Sequence, residues 1–548
     1  MRPRVLFRRA SPCRRFPTIV IFLALAAVRV ACTEDVLPAS NKAEQTVSPT
    51  SPESSLPAMH DIAGGETSLP QAEPMQMDPD LREAVLLFGD GEYETALVKL
   101  QTAEKNNPQD ANVYYYKGEV YAELDEGEKA VSAYLHSLEL NPNFQEVHRK
   151  LGIAWFRGKQ YRRAADELDK AIAINPEDVQ ALYYLGMTNY YLKAYYRGVS
   201  VFRKARALNP DLTLNYAYWE GVCLFNDGLY HKAEQPLLDI RKGPDEFPLK
   251  NSAEEFLAQA REYEKPWQVQ VNLWAEYDDN VVLQSETGGL VTEISRQADW
   301  RLAGDLDATY RIFREEGQYG IGGSFYQSVH GELTDYNLQG GSFSAYFLAD
   351  ARPWQPEIRY SYAHYLLGGN GYLQQNSVTP SLSLYQWSPA RLHVYWTISG
   401  DDYLGPVESP ERNQDAINNV IGVSYQRAVQ QDNGSIRLGV SYENNNAEGT
   451  DWDYGGVDGF AQVYLTLPNK IWAVRIQGDY FDSHFQHIDS LFGLKRADTR
   501  FTGRAGLIYR KSGKWNITLE YCHTTNNSTL DFYHYQRNIT SLFYTYHF

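Results

Sequence analysis

Sulfur is scarce in this 548-residue chain, which has four cysteines and five methionines. Cys13, Cys32, Cys223 and Cys522 form no CxxC pair and no metal-ligand spacing, so neither a disulfide framework nor a zinc site is supported. Equally absent is any apolar run of 18 or more residues, which excludes a helical membrane bundle. The 51 Lys+Arg are outnumbered by 69 Asp+Glu, and a net charge of −18 lacks the basic stripe expected of a nucleic-acid partner. No P-loop, HExxH, GxSxG or Rossmann fingerprint stands in a strand–helix context. No catalytic residue, cofactor or metal is therefore assigned, and the chain does not read as an enzyme. What it has in plenty is aromatic: 41 Tyr, 22 Phe and 11 Trp. Half-buried strands and membrane interfaces favour such residues. At ~150 residues per domain the length allows three or four domains, or fewer if one is a large barrel.

Residues 1–17 carry six arginines and no acid, and Thr18–Val28 is an eleven-residue apolar run. A basic start, a short apolar stretch and small residues after it describe a secretory signal over residues 1–31. Cleavage after Ala31 removes seven arginines and lowers the net charge from −18 to −25. Cys32 would then lead the mature chain, but Arg29-Val30-Ala31 departs from a lipobox, so ordinary cleavage nearby stands beside lipidation. Residues 33–74 hold six prolines, many Ser and Glu, and no Phe, Trp or Tyr. Such a stretch cannot bury enough surface to offset its ordering entropy, and residues 32–76 are expected to form a disordered tether.

The next stretch repeats itself. Pro108, Pro142, Pro176, Pro210 and Pro244 follow one another every 34 residues. Gly118, Gly152 and Gly186 keep that period, as do Ala96, Ala130 and Ala164, with Leu100, Tyr134, Leu168 and Phe202 at the large apolar position. Small residues let paired helices approach, and each proline punctuates the passage to the next pair. This pattern resembles tetratricopeptide repeats. It predicts about five helical hairpins within residues 77–264, irregular or capping at the ends, since Gly198 replaces the small Ala and the fifth repeat is shifted by one at Gly221 and Ala233. The resemblance implies a protein-binding scaffold. Tyr115, Arg149, Phe156, Tyr183 and Tyr190 are its candidate groove residues, with packing against neighbouring repeats as the alternative reading of the aromatics.

After Lys265-Pro266 the period switches to two. In Trp267–Tyr277 one face reads Trp267, Val269, Val271, Leu273, Ala275 and Tyr277, and the other reads Gln268, Gln270, Asn272, Trp274 and Glu276. Eleven residues is about the length of a tilted transmembrane strand with apolar groups towards lipid. The alternation recurs to the end of the chain. Six short turns (315–317, 352–356, 388–390, 431–434, 467–469 and 512–513) alternate with longer polar segments near 279–297, 328–338, 367–377, 401–414, 444–456, 482–496 and 524–534. Thirteen connections join fourteen strands, and even parity places both barrel ends in the periplasm, the side expected of the repeats. The expected fold is therefore α + β multidomain: an α-solenoid, then a 14-stranded antiparallel transmembrane β-barrel over 265–548.

The same parity gives the expected lumen charges Asp305, Asp307, Glu357, Arg359, Arg437, Glu443, Arg475, Arg504 and Glu520. Mixed charges of this kind either line a water-filled pore or pair across strands and hold the wall. Leu542, Tyr544, Tyr546 and Phe548 share one face; this row resembles the recognition signal of bacterial outer-membrane barrels and implies the barrel-assembly machinery as a partner. His484 and His487 lie in an expected outer loop beside Asp482 and Asp489, as a weak metal candidate or a solvated loop. Asp278-Asp279-Asn280 ends the first strand as a turn cap or a calcium candidate.

A signal peptide, a short tetratricopeptide domain and a C-terminal barrel with the start Ala275-Glu276-Tyr277-Asp278-Asp279-Asn280-Val281 together resemble the surface lipoprotein assembly modifier family. The resemblance implies an outer-membrane protein, in contact with outer-membrane lipid, whose periplasmic repeats bind a client protein that the barrel exports or displays. No individual transport residue carries over. The architecture also resembles exopolysaccharide exporters, whose barrels tend to be wider and whose repeat arrays are often longer, and this would make the client a glycan. A structural or adhesive envelope protein is the third reading.

Overall fold

The computed structural model describes residues 78–281, 298–385, 390–407, 409–429 and 433–548. The expected signal, Cys32 and the tether lie outside them. The described chain divides into two compact units between Glu264 and Lys265.

The first unit is all helical. Five antiparallel pairs follow one another: α1 Pro79–Gly89 with α2 Tyr93–Asn106, α3 Ala111–Glu123 with α4 Gly127–Leu140, α5 Gln145–Arg157 with α6 Tyr161–Ile174, α7 Val179–Tyr191 with α8 Tyr195–Leu208, and α9 Thr213–Asn226 with α10 Tyr230–Arg241. A last helix, α11 Lys250–Tyr263, closes the stack by burying Ala253, Phe256, Leu257 and Ala260. The repeated Asn-Pro step explains the spacing. Asn175 Oδ1 accepts the Glu177 N–H at 3.1 Å and Asn209 Oδ1 the Asp211 N–H at 3.1 Å, so asparagine folds the turn while proline ends the helix before it. Aspartates then cap α1, α3 and α7: Asp78, Asp110 and Asp178 each accept a backbone N–H of the first turn at 2.9 Å.

The glycines of the 34-residue period are where the paired helices touch. A Cβ at Gly118, Gly152 or Gly186 would overlap the side chain of Tyr134, Leu168 or Phe202, all fully buried. Gly198 has its own cause, because the sulfur of Cys223 would lie 3.0 Å from an added Cβ. The one-residue shift of the fifth repeat falls around a 3₁₀ turn, Pro210–Leu212, that leads into α9.

One buried ionisable pair gives this unit a pH dependence. His148 Nδ1 lies 2.7 Å from a Glu167 oxygen and Nε2 lies 2.9 Å from the Pro142 carbonyl. The Glu167 bond holds the His148 pKa above its ordinary 6.5. Burial alone would lift Glu167, but the bonds from His148 and Lys170 outweigh it and hold its pKa below 4.5. The histidine's contribution is therefore full below pH 6.5 and lost as pH rises through its raised value. The glutamate's is full above 4.5 and lost as pH falls through its lowered value. Melting curves of the chain and of a His148→Gln variant should differ most between those limits and converge in alkali. A gap that widens above neutrality would contradict the pairing.

The second unit is a closed antiparallel barrel of fourteen strands in sequence order. They are β1 Trp267–Asp278, β2 Asp299–Arg314, β3 Gly317–His330, β4 Leu338–Ala349, β5 Trp354–Leu367, β6 Asn370–Leu384, β7 Ala390–Tyr403, β8 Ala416–Val429, β9 Gly434–Ala447, β10 Tyr454–Thr466, β11 Trp472–Ile488, β12 Lys495–Ser512, β13 Trp515–Ser528 and β14 Tyr535–His547. Residues 386–389 and 430–432, which overlap two of the expected short turns, lie outside the described residues, as do 282–297 of the first long segment.

Strand boundaries differ from the sequence reading in two ways. The expected long segment at 367–377 is a two-residue hairpin, Gly368-Gly369, with φ of +54° and +83° that glycine adopts without strain. Several strands also run on into the other long segments, β11 as far as Ile488. Ladder hydrogen bonds continue where both faces have become polar, so hydropathy ends a strand before its pairing does.

The outer face is apolar. Leu273, Ile321, Ile358, Ile421, Ile476 and Leu519 are all exposed on it, and a contiguous band of this kind fits the outer face of a membrane barrel. Outward aromatics gather at the end that carries the short turns: Trp267 against Tyr310 at 4.9 Å, Trp472 against Tyr509 at 4.9 Å, and Trp515 against Tyr544 at 6.5 Å. Towards the other end Tyr277 meets Trp300 at 5.2 Å, and Tyr480 lies opposite Phe501. Paired girdles fit the two interfaces of a bilayer. No helix among the described residues is long and apolar enough to cross a membrane. A closed 14-stranded barrel with this outer face fits an outer-membrane protein.

Candidate functional site

The groove candidates of the repeats are packed to different degrees. Tyr115 is buried between the rings of Phe144 at 5.4 Å and Tyr116 at 4.9 Å, and Tyr183 is buried against Tyr216 at 6.2 Å. Burial pushes both phenols well above their ordinary pKa, so they stay neutral. Both rings serve the core. Phe156 is half-buried among Tyr161, Tyr184 and Tyr191, and Tyr190 is half-buried against Trp219 at 5.3 Å. Arg149 Nη1 donates to the Asp178 carboxylate at 3.1 Å, which ties α5 to the cap of α7. Of the five, Arg149, Phe156 and Tyr190 keep some surface.

All nine lumen candidates fall on the inward face of their strands, set by the alternation with the exposed row. Most have partners in the wall. Asn272 donates to Asp305 at 2.8 Å, and Asp307 sits opposite Gln270 in the register. Arg359 bonds Glu357 at 2.8 Å, Arg504 bonds Asp479 at 2.7 Å, and Arg475 reaches across two strand boundaries to Glu520 at 2.5 Å. Glu443 accepts from Asn418 at 2.9 Å and from the Tyr454 hydroxyl at 2.6 Å. Polar groups on neighbouring strands thus hold one another in place, and the same groups present charge to the interior.

A device that the sequence reading missed runs through this wall. A Cβ at inward-facing Gly320, Gly340, Gly422 or Gly439 would overlap the ring of Tyr346, Tyr365, Tyr395 or Phe460, each directly opposite on the next strand. Gly456 stands in the same relation to Phe481, on a diagonal. The rings therefore lie along the wall instead of across the lumen. Three of them carry an arginine: Arg359 over Tyr346 at 4.4 Å, Arg437 over Phe460 at 5.1 Å and Arg500 over Phe481 at 5.1 Å. Inward glycines facing aromatics across a hairpin were the available signal.

The Asp278-Asp279-Asn280 segment closes the barrel. Asp278 accepts the Arg537 guanidinium of β14 and the Asn280 N–H at 3.0 Å. Asp279 accepts both the backbone and the side-chain N–H of Asn538 at 2.7 Å, and Asn280 donates to the Gln536 carbonyl at 2.8 Å. Through the Asn280 N–H, Asp278 caps the turn, and the bonds to Arg537 and Asn538 account for the remaining carboxylate oxygens. On the same seam Leu542 and Tyr544 are exposed on the outer face, Tyr546 meets Phe548 at 4.7 Å, and the Phe548 N–H donates to the Val269 carbonyl at 3.0 Å. His487 lies 3.3 Å from Asp453 and His484 3.7 Å from Asp482, as separate pairs. Among the described residues Cys223 and Cys522 are free thiols.

The helical unit matches the sequence family of the tetratricopeptide repeat over residues 81–143 and 149–213. No curated protein matches the chain. Among solved structures it is similar to YrrB, described as a tetratricopeptide protein with an unusual peptide-binding site, at 22% identity over 32% of this chain and 91% of that one, with a TM-score of 0.31. It is also similar to MamA from Desulfovibrio magneticus (21%, 34% and 97%, TM-score 0.27) and to pilF of Pseudomonas aeruginosa (20%, 33% and 86%, TM-score 0.28).

Proposed function

We propose that this protein is an outer-membrane translocator in which the repeats bind a client protein in the periplasm and the barrel exports or displays it. The observation that carries the reading is the pairing, in one chain, of a tetratricopeptide scaffold with a closed 14-stranded barrel. Scaffolds of this kind bind peptides and proteins. A client held by a module covalently joined to the barrel would meet it at high effective concentration. The Tyr277-Asp278-Asp279-Asn280 start and the short repeat array support a relation to the surface lipoprotein assembly modifier family, and with it a lipoprotein as client. Deleting residues 79–263 should abolish surface display of the client while leaving a folded, heat-modifiable barrel. Full display by the truncated barrel would refute the scaffold role. Loss of a secreted glycan in place of a surface protein would move the protein to the polysaccharide exporters.

A further inference from the structure

The loop that joins the two helices of each repeat lies on one edge of the solenoid, and its charge reverses halfway along. In the first repeat this loop carries Asp90, Glu92 and Glu94, all exposed, and no cation. In the second, over 123–129, it carries Glu123, Asp125, Glu126 and Glu128 against Lys129. At the equivalent positions of the third repeat, 34 residues on, stand Arg157, Lys159, Arg162 and Arg163 with no acid. The fourth has Lys193 and Arg197 with no acid in the loop itself, and Arg197 pairs with Asp169 of α6 at 3.4 Å. In a solenoid, equivalent positions of successive repeats line up. This edge is therefore acidic over two repeats and basic over the next two, in a chain whose net charge is −18.

A backbone feature fixes one position of this loop in every repeat. The residue two places after the first helix of each pair is left-handed: Gly91 at φ +77°, Asp125 at +59°, Lys159 at +57°, Lys193 at +60° and Gly228 at +78°. Glycine suits that position, as the first and fifth repeats show. The second repeat holds an aspartate there, which tolerates this conformation, and the third and fourth hold a lysine, which adopts it less readily. The basic half also offers flat apolar surface, with Tyr161 stacked on Tyr191 at 4.8 Å and the Arg163 guanidinium 4.8 Å from the Trp155 ring.

We infer that this edge is a contact with a second copy of the chain. A two-fold axis between the second and third repeats would set repeat one against repeat four and repeat two against repeat three. Every acidic loop then meets a basic loop, and the contact is isologous and closed. A single anionic partner would use only half of the edge and be repelled by the rest. Exposed ion pairs are individually weak, so the association should depend on their number and fall steeply with salt.

Exchanging residues between equivalent positions tests this without introducing a residue type foreign to the turn. One variant carries Asp125→Lys and Glu128→Arg, the other Lys159→Asp and Arg162→Glu. The full-length chain in detergent micelles should sediment as a dimer at low salt and as a monomer at high salt. Each variant alone should stay monomeric, since like charges now face each other across the axis. An equimolar mixture of the two should recover a dimer, identified as the mixed species by native mass spectrometry. A parent chain that is monomeric at low salt at the highest concentration reached, or variants that dimerise as it does, would overturn the inference. A monomeric parent that binds phosphatidylglycerol vesicles, and loses them in the Lys159→Asp, Arg162→Glu variant, would overturn it too and give the basic half to a lipid headgroup.

Discussion

Replacing Arg537 with alanine should lower the stability of the barrel by about 3–5 kcal/mol, the cost of leaving one member of a buried ion pair without the other. Asp278 is 3% exposed, and the Arg537 side chain reaches it from the neighbouring strand with both Nε and Nη2. Without the arginine, a carboxylate shut off from water keeps only the Asn280 N–H at 3.0 Å. The loss falls on the contact between β1 and β14, whose register runs from Gln270 opposite His547 to Asp278 opposite Ile539. The temperature at which the folded band disappears in a heat-modifiability gel should drop clearly. Arg537→Lys should recover only part of it, since an ammonium does not reproduce the rigid pair of guanidinium N–H groups that converge on Oδ2. Arg359→Ala is the control. Its carboxylate partner Glu357 sits two residues away on the same strand, and across a strand boundary Arg359 offers only its contact with the Tyr346 ring at 4.4 Å, so a smaller loss is expected. Equal losses in the two variants would mean that the seam has no special role.

That seam also marks how far sequence reasoning reached. The repeats were legible because every 34 residues the same contact recurs, with Gly152 against Leu168 and Gly186 against Phe202 among the instances, and a repeated contact leaves a repeated letter. The strands were legible because an apolar outer face and a polar inner face impose a period of two on Trp267–Tyr277 and its successors. Contacts made once leave no such mark. Asp278 and Arg537 are 259 residues apart, and nothing in either neighbourhood names the other. The groove candidates fared differently for a related reason. Spacing places Tyr115 and Tyr183 on the first helix of a repeat, but their burial depends on Phe144 and Tyr216, which belong to the next repeat. The hairpin at Gly368-Gly369 was masked by the polar residues of β6, where Gln374 and Asn376 continue a ladder that hydropathy alone reads as a loop.

The layered wall of the lumen yields the second large effect. Gly439→Val should destabilise the barrel by about 1–3 kcal/mol, as overpacking of an ordered interior does. The added carbons would occupy the place where the Phe460 ring lies across β9, with the Arg437 guanidinium 5.1 Å from the ring. Phe460 is the register partner of Gly439, so neither backbone can move away without breaking ladder hydrogen bonds. The ring has to leave the wall, and the arginine loses the surface it rests on. A double-mutant cycle separates this from a general intolerance of valine at that site. If the clash with the ring is the cause, Gly439→Val should cost little or nothing once Phe460→Ala is present, and the coupling should be a large share of the single-variant loss. Additive losses would show that the glycine serves the backbone, not the ring. The same cycle at Gly320 and Tyr346, where Arg359 caps the layer at 4.4 Å, should give the same sign, because the arrangement of glycine, ring and guanidinium is the same.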